Sequence, residues 1–197
     1  RQRAGIALAH GIGLIRDGRE TTDDIVDLFD AWENPFAATP VLLSTLAILA
    51  RQSKGPILEC GSGLSSLVMA AANPKVEVHS LEDSPTFADH LRATAANHGV
   101  SNLHDHCLPL KGGWYDTGSL PHEDWALAFV DGPRRTSGRR SDTPLHVDLT
   151  RAVVVADDTG DNASGAATVE AFGATHDMTV IDVSAQRSFA VGKPKQA

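Results

Sequence analysis

An α/β fold built on a mostly parallel sheet is predicted by three observations. A short apolar run, Pro56-Ile57-Leu58, leads into the turn Glu59-Cys60-Gly61-Ser62-Gly63 and then into the helix-forming stretch Leu67 to Ala72. From Pro56 onward, apolar runs of strand length alternate with helical stretches. The chain closes on two strand-like runs, residues 178–183 and 187–191, separated by Ser184-Ala185-Gln186. So short a gap favours an antiparallel hairpin, because a parallel crossover needs roughly a dozen residues or more.

Residues 1 to about 54 read as a helical prefix, with an apolar patch at Ile25 to Phe29 ahead of Trp32. Thr39 caps and Pro40 opens a further helix, in which Val41 to Ala50 supplies buried surface. Lying beside the glycine turn, this helix can form a substrate wall, a subunit contact or plain core. The second strand is predicted over 76–81, and Ser84-Pro85 then starts a helix that buries Phe87, Leu91 and Ala95 and ends at Gly99. A third strand over 103–108 is weakened by its histidines and Asp105. The fourth, 125–130, and the Val-rich fifth, 151–156, are stronger. Between these two, residues 132–144 combine Gly, Pro, Ser and Arg, the composition of an active-site loop. A helix around 163–172 precedes the hairpin, so seven strands are expected in one domain spanning 1–197.

That size buries a full core without metal or disulfide staples. The 25 acidic residues outnumber the 17 Lys and Arg, for a net charge of -8, and this field opposes a nucleic-acid partner. The local cluster Arg134, Arg135, Arg139 and Arg140 can still meet an anionic group on a small substrate. Cys60 and Cys107 form no CxxC unit, which fits a reducing cytosol, and no apolar stretch approaches the roughly 20 residues that span a bilayer. A cytoplasmic protein without a membrane partner is therefore expected.

Gly61 and Gly63 allow a tight turn and close approach of a ligand to the main chain. Glu59 can accept a hydrogen bond from an ammonium or amide donor, and the amides opening the next helix can bind polar ligand atoms. Ser66 stands where a GxGxxG dinucleotide fingerprint has its third glycine. Glu82, 21 positions after Gly61, falls at the next strand end, where a carboxylate can accept from both ribose hydroxyls of a nucleoside. Asp83 is the adjacent alternative, and either acid can instead cap the helix that follows.

Across roughly residues 55 to 192 the chain resembles the class I S-adenosylmethionine-dependent methyltransferases, in particular small-molecule O-methyltransferases with a Rossmann-like, mostly parallel seven-stranded sheet and an antiparallel C-terminal strand. Glu59 to Gly63 looks like the first cofactor motif, Ser80-Leu81-Glu82 like the ribose-binding strand end, and Phe129 to Pro133 like the fourth-strand motif. The resemblance implies that Gly61, Ser62, Gly63 and Ser65 surround the amino-acid part of the cofactor, and that Cys107 and Leu108 lie by adenine.

Asp131, after the fourth strand, and Asp157-Asp158, after the fifth, converge if those strands share a sheet. Three close carboxylates repel one another unless hydrogen bonds or a divalent ion compensate, and such an ion can hold vicinal acceptor oxygens. The trio resembles the metal site of catechol O-methyltransferase-like enzymes, with Asp158 where that pattern commonly has Asn; Mg²⁺ or another oxygen-seeking divalent ion is the implied type. Trp114-Tyr115 is a candidate for adenine packing and Arg134-Arg135 for acceptor recognition, while His104, His106, His122 and His146 are unassigned potential bases. The expected function is methyl transfer to a small-molecule acceptor, at oxygen, by a chain that can form a homo-oligomer. An NAD-dependent oxidoreductase and a non-catalytic ligand-binding or oligomeric module are the alternatives.

Overall fold

The computed structural model describes residues 2–32, 34, 36–121, 124–160 and 163–196. Three helices lead: α1 (Gln2–Asp17), α2 (Thr22–Trp32) and α3 (Pro40–Gln52). Each start has a local cause. Thr21 and Asp24 exchange hydrogen bonds across the first turn of α2, satisfying end amides that have no partner within the helix. At α3, the Thr39 hydroxyl accepts from Leu42 N at 3.4 Å and Pro40 supplies the preset φ of the first turn.

The sheet then alternates with helices: β1 (Ile57–Cys60), α4 (Leu64–Ala72), β2 (Val78–Glu82), α5 (Pro85–Asn97), β3 (Leu103–Cys107), β4 (Leu127–Val130), β5 (Val153–Asp157), α6 (Ala163–Gly173), β6 (His176–Ser184) and β7 (Arg187–Pro194). Strand order is β3-β2-β1-β4-β5-β7-β6, parallel except for β7, which runs antiparallel between β5 and β6. The predicted seven-stranded architecture is therefore the observed one. Strand bounds differ by up to three residues, because pairing and not hydropathy sets them: β2 begins at Val78, opposite Ile57 and Leu103, and runs on through Glu82.

β1, β2 and β4 are buried along their whole length, the pattern of parallel strands covered on both faces. On one face, Ile57, Val78, Phe129 and Val155 pack with α1 to α4 in the larger core, which includes Ile12, Ile15, Leu28, Leu42 and Leu46. On the other, Leu58, Cys60, Leu81, Ala128 and Val154 pack with Trp114, Trp125 and Phe172. α4 buries all nine of its residues because it is sandwiched between the sheet and the N-terminal helices. β3 is a partly exposed edge strand, which accounts for its mixed sequence. Among the described residues, no α-helix links β3 to β4; a two-stranded ribbon, Leu110–Lys111 with Trp114–Tyr115, takes part of that connection.

Candidate active site

A cleft of about 460 Å³ opens at the carboxyl edge of the sheet, where the chain reverses from β1 toward β2 on one side and β4 on the other. Its floor is the Gly61 to Ser65 turn, with Glu82, Asp83 and Phe87 on one flank and Asp131, Gly132, Asp157 and Asp158 on the other. Trp32, Asn34, Phe36, Ala37 and Ala38, from the α2–α3 connection, close one side. The helical prefix thus supplies a wall of the cleft as well as core.

The two glycines of the turn have different reasons to be glycine. Gly61 has φ +89°, and a Cβ there would lie 3.0 Å from Gly132 N, so both backbone strain and the neighbouring turn require it. Gly63 has an extended φ of 169°, and a Cβ built on it meets nothing within 4 Å. Protein packing leaves that position open. What its bare Cα faces is the cleft.

Glu59 does not line the cleft. Its carboxylate is fully buried behind the turn, accepting hydrogen bonds from the hydroxyls of Ser65, Ser66 and Ser80, the last at 2.9 Å. Burial pushes its pKa up to about 7, against the opposing pull of the three hydroxyls. Its direct role is to brace the turn and the start of α4. Glu82 does line the cleft: one oxygen accepts from Ser62 N at 3.2 Å and Ser62 Oγ at 2.9 Å, the other from Ser84 N at 2.8 Å. It therefore caps α5 and pins the turn at once. Of roughly four lone-pair directions on a carboxylate, three are used, which leaves one for a ligand hydroxyl.

The three aspartates converge, with one carboxylate oxygen of each within 4.8 Å of the others. The space among them is occupied by a cation of the protein's own. Arg140, 9% exposed at its side chain, meets Asp131 at 2.8 Å and Asp158 at 3.2 Å and donates to the Asp157 carbonyl at 3.3 Å. Arg135 lies 3.0 Å from Asp158, and Arg187 4.0 Å. Three guanidiniums thus face three carboxylates, and a divalent ion would compete with Arg140 for Asp131 Oδ1 and Asp158 Oδ2. Asp157 differs from its neighbours: it has no ion pair among the described residues, and its Oδ1 accepts from Asp158 N at 2.7 Å. Burial, then Asp158, pushes its pKa up; Asp131 is raised further, by burial above all.

Four buried donors lack a partner among the described residues: Trp32 Nε1, Trp114 Nε1, Tyr115 Oη and Arg140 Nε. Three of the four belong to residues that also line the cleft, although the atoms themselves are buried.

No family model matches the chain, and no curated protein matches it by sequence. Solved structures do match in shape. The cofactor-bound Rv0187 from MTB is 22% identical, with 89% of each chain covered and a TM-score of 0.66. The O-methyltransferase TomG from Streptomyces achromogenes, involved in tomaymycin synthesis and solved in complex with SAM, is 22% identical over 96% of this chain and 90% of its own, TM-score 0.59. An O-methyltransferase from Bacillus cereus in complex with SAH is 17% identical over 88% and 90%, TM-score 0.61. The fold is the class I methyltransferase fold.

Within this methyltransferase fold, Gly61, Ser62, Gly63, Ser65, Glu82, Asp131, Asp157 and Asp158 gather at one cleft, as the sequence reading expects. Cys107 and Leu108 are not among its lining residues; they sit beside Glu82, with Cys107 paired to it in register and Leu108 N donating to its carbonyl at 2.8 Å. Phe87, expected in the core, is half-buried on the cleft wall, because Ala88 takes the inward position on α5. Trp114 is core, stacked on His146 at 5.1 Å, while its neighbour Tyr115 reaches the cleft. None of His104, His106 and His146 lines it, and His122 lies outside the described residues. The sequence marks Arg140 only as one of a basic cluster suited to an anionic substrate group, and it singles out neither Arg187 nor the α2–α3 connection. No spacing rule marks a guanidinium whose partners sit on two separate strands.

Proposed function

We propose that the chain transfers a methyl group from S-adenosylmethionine to an oxygen of a small-molecule acceptor. The observation that carries this reading is the pairing, in one cleft, of the Glu82 carboxylate with the Gly63 backbone, whose missing Cβ gives onto open space. The cleft's volume lies within the range of roughly 300–1,000 Å³ found for small-molecule sites. When bound, S-adenosylmethionine supplies an electrophilic methyl on a sulfonium that leaves as a neutral thioether. The chain's own residues do the rest. Glu82 receives a ribose hydroxyl on its remaining lone pair, and the Gly61 to Ser65 backbone holds the amino-acid end. Asp157 takes the proton of the acceptor hydroxyl, since burial and Asp158 raise its pKa despite the nearby Arg140 and Arg187, and no guanidinium pairs directly with its carboxylate among the described residues. Arg140 fixes Asp131 and Asp158, supplying the positive charge that a divalent ion supplies in the catechol O-methyltransferase-like pattern. Most of the rate enhancement then comes from holding oxygen, methyl carbon and sulfur in line.

No helix of the described residues is long and apolar enough to cross a membrane. Two free cysteines support a cytoplasmic site of action, and half-exposed Val41 and Ile48 on α3 give a homo-oligomer an apolar surface to use. The test is mass spectrometry of a panel of phenols and catechols incubated with protein and S-adenosylmethionine. A product heavier by one methyl group is expected. Cofactor binding without any such product supports the non-catalytic alternative, and selective binding of NAD supports the oxidoreductase.

A further inference from the structure

Away from the cleft, the parallel register of β2 and β3 assembles a second constellation. His79 pairs with His104 across the two strands; Glu77 stands two residues before His79, and His106 two residues after His104. Because side chains on a strand alternate between faces, an E-x-H and an H-x-H pair side by side put all four groups on one face. This is the face that carries Leu58 and Leu81, and none of the four residues lines the cleft.

The side chains converge as the backbone predicts. His79 Nε2 lies 3.4 Å from one Glu77 oxygen and His104 Nε2 3.8 Å from the other. One donor atom from each of Glu77, His79 and His104 falls within 4.8 Å of the other two. His79 is 5% exposed and held in place: its Nδ1 is 3.0 Å from His106 Nε2, and the Trp125 ring meets it edge-on at 5.4 Å. His79 Nε2 is hydrogen-bonded to the Glu77 carboxylate and Nδ1 to His106; in the tautomer that carries its proton on Nδ1, Nε2 presents its lone pair to a cation shared with that carboxylate. This is also how metal-bound histidines are usually oriented, by a partner on the far ring nitrogen. The imidazoles of His79 and His104 stack 4.9 Å apart, which sets their ring nitrogens side by side on one face of the sheet.

We propose that Glu77, His79 and His104 bind one divalent transition-metal ion of the zinc, cobalt, nickel or copper class, with His106 as the residue that orients His79. Two imidazoles and one carboxylate select such ions over Mg²⁺ or Ca²⁺, which prefer all-oxygen shells. Two adjacent strands give the site a rigid frame, and the exposed Glu77 and His104 leave coordination positions open to water or to an added group. The sequence hides this site, because its ligands come from two strands about 25 positions apart and match no single-segment motif.

The test is a Co²⁺ titration of tag-free, chelator-treated protein, followed by ligand-field absorption, with competition by Zn²⁺ and by Mg²⁺. The expected result is one saturable equivalent showing nitrogen coordination, displaced by Zn²⁺ and untouched by Mg²⁺. His104→Ala, at a half-exposed position, abolishes it while the thermal midpoint in chelator stays at the wild-type value; Glu77→Gln weakens it, and His106→Ala weakens it by about tenfold. Absence of saturable uptake by wild type overturns the proposal, as does uptake unchanged in His104→Ala. The outcome is independent of what occupies the cleft.

Discussion

At the scale of single residues, ionisation states give the sharpest expectations. Glu59 titrates near 7 in the fold against an ordinary 4.5, so the folded protein holds its proton more tightly than the unfolded chain. Stability from this source is full below about pH 4.5 and is lost as pH rises through 7, an effect of about 3 kcal/mol. Glu59→Gln keeps the shape without the titration; denaturant unfolding from pH 4 to 8 is expected to give a wild-type-minus-variant difference that grows across that window. A flat difference would mean that the carboxylate is as comfortable charged as free in water. Arg140 gives a second expectation. Wild-type turnover should be unchanged by EDTA, while Arg140→Ala, which leaves Asp131 without its ion pair and weakens the compensation of Asp158, should lose activity by roughly a hundredfold, as expected for about 2.7 kcal/mol of misplaced charge, and gain Mg²⁺ binding measurable by calorimetry. A wild-type enzyme that EDTA silences would show that the guanidinium is not the resident cation.

At the scale of elements, the two turns at the sheet edge separate packing from binding. A Cβ on Gly132 would stand 2.1 Å from Tyr115 Oη and 2.7 Å from Gly61 N, and although a tyrosine can shift, the backbone of the neighbouring turn cannot. Gly132→Ala is expected to cost about 1–3 kcal/mol of stability. Gly63→Ala meets no protein atom, so its thermal midpoint should match wild type while affinity for S-adenosylhomocysteine falls about tenfold, or 1.4 kcal/mol. Paired melting and binding measurements check both; a Gly63→Ala protein that binds as tightly as wild type would remove the turn from the cofactor site. The element scale is also where the sequence is most legible. Thr39-Pro40, Ser84-Pro85 and Gly99 each mark a helix boundary, Thr39 by a side-chain cap, Gly99 by its positive φ, and Ser84-Pro85 through Pro85 in the first turn, since Ser84 makes no side-chain capping bond. The orientation of Glu59 is not legible in this way, since both a ligand-facing and an inward-facing carboxylate suit a strand end. Three serine hydroxyls from α4 and β2 decide it.

At the scale of the whole molecule, the alternation of strand and helix identifies a parallel sheet, and the three-residue gap before Arg187 identifies the antiparallel closure. Strand order follows only once the chain is folded, and with it go the facts that depend on neighbours: Arg140 between β4 and β5, and His79 beside His104. The acids at Glu82, Asp131, Asp157 and Asp158 could be anticipated because each ends a strand, and strand ends in a parallel sheet share one edge. Calorimetric titration with S-adenosylhomocysteine of wild type and Glu82→Ala, both checked for folding, tests this shared edge as a nucleoside site most directly. Saturable binding of one equivalent by wild type, weakened at least about tenfold in Glu82→Ala, is the predicted result; folded wild-type protein that takes up no ligand, or a variant that binds equally well, would contradict it.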